Sequence, residues 1–356
     1  MKPSVHSLTP EALGAALAEA GAPRFRARQV LEWLYGRHAA RWGEMTNVPA
    51  ALRAALAERF LDLDGALAPE EIAGEPGSGT RKILSRLADG ELVETVLIPA
   101  KDRVTVCVSS QVGCGCRCAF CASGLNGCVR SISSGEIVAQ AVRAAREIGR
   151  RPDNVVFMGI GEPFLNYDAA LAAAHRMNAP APEGLGIGAR RITFSTCGVV
   201  PGIERFSREG AQFELSVSLH APNNELRDRL MPVNRKWPLE VLLPACRAHA
   251  ETTGRIVTFE YTLVAGFNDR REQARELLRL LDGIPCRVNL IPLNPVEEFW
   301  GRTPPEDVCE AFRETLERGG LNATLRRSRG RGVRASCGQL RRARIGAAAP
   351  GGATCG

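Results

Sequence analysis

The chain has 356 residues, which allows two domains or one large α/β domain with an appendage, and its 45% hydrophobic and 24% charged residues exclude wholesale disorder and collagen-like repeats. Every apolar stretch meets a charge before the roughly 18 residues of a membrane span, and Glu11 interrupts any leader-like run, so a cytoplasmic chain with no membrane association is expected. The net charge of +7 is local: no acidic residue follows Arg318, while Arg326, Arg327, Arg329, Arg331, Arg334, Arg341, Arg342 and Arg344 do, a segment suited to a polyanionic partner or to a solvated basic tail.

Three amphipathic stretches open the chain: one after Thr9-Pro10, where the cap precedes the proline, one over Arg24–Tyr35 and one over Pro49–Phe60. The Gly/Pro/Ser-rich run EIAGEPGSGT (71–80) reads as a joint, which gives a helical module over 1–72 and a second unit over 73–345. Short β-prone runs follow at Arg81–Leu87, Glu91–Pro99 and Arg103–Ser110. From Ser133 onward, helical patterns (134–149, 167–177, 201–209, 238–253, 269–281, 305–318) alternate with strands (154–160, 191–196, 213–220, 256–264, 286–293, 322–326). That alternation predicts successive βα units around a parallel sheet, forming a whole or partial barrel, with chemistry at the C-terminal ends of the strands. Residues 346–356 read as a flexible low-complexity tail.

Six of the twelve cysteines fall between Cys107 and Cys128, and Cys114, Cys118 and Cys121 stand in a CxxxCxxC spacing with Phe120 before the last. In a reducing compartment such a cluster reads as a metal or cofactor site before a disulfide framework. Three thiolates from one short loop can hold three irons of a 4Fe-4S cluster and leave the fourth iron open to bind S-adenosylmethionine, with Phe120 as a surface for the adenosyl group. Structural zinc is the alternative, although no second CxxC-type pair appears. Cys116 adds a further metal-friendly thiol inside the same loop. Polar groups then recur at the ends of consecutive strands: Gly161-Glu162 in MGIGEP, Ser195-Thr196, Ser218-Leu219-His220, and Asn294 before Pro295.

The motifs SSQVGCGCRCAFC, MGIGEP, STCG, SVSLHAP, RLMPVNR, NLIPLNP and SCGQL, in this order, resemble the RlmN/Cfr family of radical-SAM RNA adenosine methyltransferases, as do RFRARQVLEWLYG and VETVLIP near the N-terminus. The resemblance covers nearly the whole chain. It implies an α/β fold: a partial (βα)6 radical-SAM barrel with a small helical N-terminal domain and short strands leading into the barrel. It implies a 4Fe-4S cluster on Cys114, Cys118 and Cys121, and S-adenosylmethionine held by Gly161, Glu162, Ser195, Ser218, Leu219, His220 and Asn294. It maps the methyl-carrying cysteine onto Cys337, a second essential thiol onto Cys107 and a proton acceptor onto Glu94.

The family chemistry answers a physical problem: carbon 2 or carbon 8 of adenine is not nucleophilic, so a polar methyl transfer cannot succeed there. One S-adenosylmethionine therefore methylates Cys337, and a second is split to a radical that activates the S-methyl group for addition to the ring. A transient Cys107–Cys337 disulfide then releases the product. Arg334 and neighbouring arginines would favour the Cys337 thiolate and suit an RNA backbone. The resemblance implies ribosomal RNA as partner, with tRNA as a further candidate, an electron donor such as flavodoxin or ferredoxin, and a monomer. Carbon 2 methylation is the leading reading. The alternatives are carbon 8 methylation, a radical-SAM enzyme with a non-RNA substrate, and a zinc-stabilised RNA-binding protein. The chain departs from the family at Arg329-Gly-Arg-Gly-Val-Arg334-Ala-Ser336-Cys337, where two aspartates are usual, and at Cys116 and Cys197.

Overall fold

The computed structural model describes residues 2–64, 67–74, 79–296, 298–326 and 338–345. The helical module contains α1 (Pro10–Glu19), α2 (Phe25–Leu31) and α3 (Ala50–Arg59). Thr9 starts α1, its hydroxyl accepting from the Ala12 N–H at 3.1 Å ahead of Pro10, a cap worth about 1 kcal/mol. The amphipathic stretch expected over Arg24–Tyr35 is helical, but after Leu31 it widens into a π-type turn over Glu32–Gly36.

The strands β1 (Ala68–Gly74), β2 (Arg81–Arg86), β3 (Leu92–Ala100) and β4 (Arg103–Cys107) form an antiparallel run. Ala68–Gly74 reaches into the expected joint: its side chains are largely exposed, and the strand exists because β2 offers it an edge. After β4 the chain makes a small hairpin, β5 (Gln111–Gly113) with β6 (Cys128–Ser131), and then α4 (Ser134–Ile148). Five further units follow: β7 (Asn154–Phe157) with α5 (Tyr167–Asn178), β8 (Ile192–Thr196) with α6 (Val200–Ser207), β9 (Glu214–Ser218) with α7 (Asn224–Leu230) and α8 (Leu239–Thr253), β10 (Val257–Leu263) with α9 (Arg271–Leu280), and β11 (Cys286–Pro292) with α10 (Glu306–Arg318). The strand β12 (Ala323–Leu325) and helix α11 (Gln339–Ile345) complete the described chain.

The main sheet runs β1-β2-β3-β4-β7-β8-β9-β10-β11-β12, with every pairing from β4 onward parallel. Six βα units in sequence order with a free edge at β12 make an open, partial barrel, as the alternation predicted. Its strands are buried on their helix-facing side, for example by Phe157 and Phe194 stacked at 4.4 Å. Alternation places Ser195, Ser216, Ser218, Glu260 and Asn289 on the opposite, inner face, opposite to Phe194, Val217, Phe259, Tyr261 and Leu290.

The N-terminal module is tied to α4. Arg146 donates to the carbonyls of His38 (2.9 Å) and Ala39 (3.0 Å) and pairs with Asp64, while the Gly135 N–H donates to Ser7 Oγ at 3.2 Å. A capping box between Ser133 and Glu136 fixes the start of that helix. Among the described residues, no helix is long and apolar enough to cross a membrane.

Candidate active site at the C-terminal strand ends

The hairpin β5–β6 brackets the cysteine loop. Gly113 has φ +80°, and a Cβ there would lie 2.0 Å from the Gly127 carbonyl oxygen, so only glycine permits this closure. The Cys114 N–H donates to that same oxygen at 2.8 Å, and the loop is pinned further by Ala119 N–H to the Leu230 carbonyl (2.8 Å) and Cys121 N–H to the Cys118 carbonyl (3.1 Å). Cys114, Cys118 and Cys121 are all partly exposed. Burial, and then the neighbouring Cys121 and Cys114, push the Cys118 thiol well above its ordinary range, so the three sulfurs share one electrostatic neighbourhood. A metal's positive charge relieves that penalty by taking the thiolates as ligands. The donor set of that trio is all sulfur, which fits an iron–sulfur cluster with one iron free of protein.

Facing the loop are the strand ends. A Cβ at Gly161 would sit 2.6 Å from the Gln111 nitrogen, and the Glu162 N–H donates to Gln111 Oε1 at 2.9 Å. The Glu162 carboxyl is fully enclosed: Oε1 accepts from the Phe164 N–H (3.0 Å) and Oε2 from the Cys197 N–H (2.8 Å), and burial raises its pKa. Cys197 Sγ lies 2.9 Å from Glu162 Oε2 and 3.0 Å from Cys116 Sγ. The two cysteines that were only oddities in the sequence therefore meet at this carboxylate; 81 residues separate them, and no local spacing signals it.

Ser195 and Ser218 stand at or near the ends of β8 and β9, and the N–H groups of Leu219 and His220 both donate to the Glu260 carbonyl, at 3.0 and 3.2 Å. His220 adopts φ +58°, and its Nδ1 accepts from the Thr262 N–H at 2.9 Å. The ring proton of the neutral imidazole is thereby assigned to Nε2. Burial, then Arg227, lowers the His220 pKa to about 3, so the ring is neutral at physiological pH. Phe120 meets it edge-on at 4.8 Å, bringing the cysteine loop to the rim. Asn294 lies two residues past β11 and is half-buried.

Arg227 was missed in the sequence, where NELRDRL looks like a solvated helix face. It is fully buried, donating from Nε to the Leu219 carbonyl (3.1 Å), from one terminal nitrogen to Asn234 Oδ1 (2.7 Å), and from the other to the carbonyls of Cys197 (2.8 Å) and Ser218 (3.2 Å). One guanidinium thus ties the ends of β8 and β9 together.

Cys107, on β4, pairs with Val96, and Glu94 lies two residues along β3 on the same face. Cys337 lies outside the described residues, but the chain immediately after it does not. The Glu94 carboxylate accepts from the N–H groups of Gly338 (3.0 Å) and Arg341 (2.6 Å), capping α11, with Lys82 Nζ 3.5 Å away. Gly338 has φ +82° and packs so closely on Ser123, two residues past Cys121, that a Cβ would lie 2.6 Å from Ser123 Oγ.

The basic segment is less of a solvated tail than its composition suggested. Arg341 is buried and donates to the Leu92 carbonyl, Arg342 pairs with Glu298, and Arg344 approaches Glu70 at 3.8 Å. Arg326 is 3.9 Å from Glu260, while Arg327, Arg329, Arg331 and Arg334 lie outside the described residues.

Residues 108–280 match the radical SAM superfamily, and residues 5–61 match the ribosomal RNA large subunit methyltransferase N-terminal domain. A relative from Pelotomaculum thermopropionicum, named "Probable dual-specificity RNA methyltransferase RlmN", is 49% identical over 343 residues, 95% of this chain and 91% of the relative. One of the same name from Moorella thermoacetica is 46% identical over 95% of this chain and 96% of its own. The crystal structure of a radical SAM methyltransferase from Sphaerobacter thermophilus superposes with a TM-score of 0.90 at 46% identity, covering 95% of this chain and 98% of that one.

Proposed function

Because the chain belongs to the RlmN family of radical-SAM RNA methyltransferases, we propose that it methylates carbon 2 of an adenosine in large-subunit ribosomal RNA and in tRNA. Cys114, Cys118 and Cys121 would hold the 4Fe-4S cluster, which when bound supplies the electron that splits the sulfonium of S-adenosylmethionine, delivered by a flavodoxin or ferredoxin. Gly161, Glu162, Ser195, Ser218, Leu219, His220 and Asn294 would bind that sulfonium compound. Glu162 is suited to an ammonium group because a buried carboxylate is stabilised by a positive partner. His220 is suited to donating from Nε2 because its other nitrogen is committed to Thr262.

Cys337 would carry the methyl group, Cys107 would form the transient disulfide, and Glu94 would accept the ring proton with a lone pair not used on Gly338 or Arg341. The helical module over 1–72 would add RNA contacts, in a monomer. The observation that carries this reading is the seating of Gly338: the residue next to Cys337 touches both the turn behind Cys121 and the carboxylate on the Cys107 face.

The test is anaerobic reconstitution with iron and sulfide, reaction with ribosomal RNA and tRNA, and mass spectrometry of the digested nucleosides. A 2-methyladenosine product that Cys337→Ala abolishes is expected. An 8-methyl product would overturn the ring position, and a colourless protein with stoichiometric zinc and no product would overturn the chemistry.

A further inference from the structure

Beside the site, on the same rim, one helix and two loops converge. Arg229 comes from α7, after β9; Phe267 lies between β10 and α9; Trp300 lies between β11 and α10. The Trp300 ring is 5.0 Å from Phe267 and 4.8 Å from Phe299, and the Arg229 guanidinium lies over both Phe267 (4.6 Å) and Trp300 (5.6 Å). Trp300 is 55% exposed, the most exposed of the tryptophans, in a chain whose large apolar groups are mostly in the core. Arg229 is exposed as well and has no ion pair among the described residues. Of the acids nearest these residues along the chain, Asp228 accepts from Asn234 Nδ2 (2.7 Å), Asp269 accepts from the Gly266 N–H (3.0 Å) and Glu298 is engaged by Arg342.

The aromatic run continues inward: Phe299 meets Phe120 at 6.4 Å, and Phe120 meets His220 at 4.8 Å. A planar, exposed, cation-backed ring therefore sits three ring contacts from the imidazole at the strand ends, on a path that leads from solvent to the cysteine loop. Packing does not explain a tryptophan left half outside, and none of the site roles assigned above uses it. Nucleobases stack on such surfaces because each has a π face, and an adjacent guanidinium adds attraction to both base and phosphate. An adenosine that leaves its helix to reach the site breaks the stack beside it, and its neighbour needs a new surface.

We propose that Trp300, with Phe267 and Arg229, is the stacking platform for an unpaired RNA base flanking the adenosine that enters the site. The proposal rests on the RNA methyltransferase reading and adds to it a recognition element outside the cofactor-binding residues. A docking site for a protein electron donor is the competing use of an exposed aromatic and cationic patch, and the test separates the two.

The probe is a fluorescein-labelled RNA hairpin whose loop presents an unpaired adenosine beside 2-aminopurine, added to the full reconstituted chain. Wild type should bind the hairpin and quench the 2-aminopurine. Trp300→Ala should raise Kd about 5- to 100-fold and abolish the quenching. Trp300→Phe should retain most of both, and Arg229→Ala should weaken binding without removing the quench. Dithionite-driven cleavage of S-adenosylmethionine without RNA should be the same in all four proteins, which excludes a folding defect. Unchanged Kd and quenching in Trp300→Ala overturns the proposal while leaving the RNA reading intact, provided wild type methylates RNA. Normal RNA binding with slower turnover only when flavodoxin replaces dithionite overturns it in favour of the electron donor. A wild type that binds no RNA overturns both.

Discussion

Replacing Arg227 by methionine keeps most of the side-chain volume and removes the donors, so it isolates what the guanidinium does. Four acceptors lose a partner: the carbonyls of Leu219, Ser218 and Cys197 and the amide oxygen of Asn234. A stranded buried acceptor costs about 1–3 kcal/mol. Against this, wild type carries the desolvation of a guanidinium with no carboxylate partner among the described residues, an effective penalty of several kcal/mol that the variant no longer bears. The net expected destabilisation is about 2–4 kcal/mol, or a fall in Tm of roughly 3–7 °C for a chain of this size. The second readout is affinity for S-adenosylmethionine, measured by equilibrium dialysis on the reconstituted protein. Ser218 and Leu219 are themselves proposed contacts, and a loosened β8–β9 rim should weaken binding by about tenfold, since shifts of the order of 1 Å degrade positioning. Arg227→Lys should fall between, because a point charge cannot serve diverging carbonyls as a planar fork does. A methionine variant with wild-type Tm and unchanged affinity would refute the view that this arginine holds the rim.

Gly113→Ala forces a Cβ onto the Gly127 carbonyl and a left-handed φ onto alanine, so the loop must open; the variant should fold yet retain little iron after reconstitution, as read by iron and sulfide assay and visible absorbance. Acid lability is expected from buried neutral histidines: burial lowers His6 and His249 to about 4, whereas they titrate near 6.5 when unfolded. Because the folded pKa is depressed, their contribution is present above pH 6.5 and is lost as pH falls toward 4. Between pH 7 and 5 the loss is about 2 kcal/mol per histidine, measurable by urea denaturation. His6→Leu should remove its share of that pH dependence.

The βα alternation was legible because each strand after Ser133 is a short β-prone run and each helix carries an apolar stripe, and the cysteine loop was legible as one cluster because its thiols are close in sequence. What was not legible depends on distant partners. Ala68–Gly74 has little strand character of its own and is a strand only because β2 accepts it. Arg227 is indistinguishable in sequence from Arg229 two residues later; one is entombed among carbonyls and the other lies over exposed rings, and only the helix's orientation against β9 decides which. The arginines near the C-terminus read as one charged block, whereas Arg341 and Arg342 are consumed by contacts 44 to 250 residues away in the chain.

The sheet is laid down in the order of translation, each new parallel strand adding to the edge left by the last, so its contacts are comparatively local and suit assembly as the polypeptide emerges from the ribosome. The clasp between Glu94 and the residues after 337 is the opposite, closing a loop of 244 residues or more. That contact thus forms last, by the last described helix returning to one of the first strands. A half-made chain would already possess the barrel's scaffold while still lacking the clasp on Glu94.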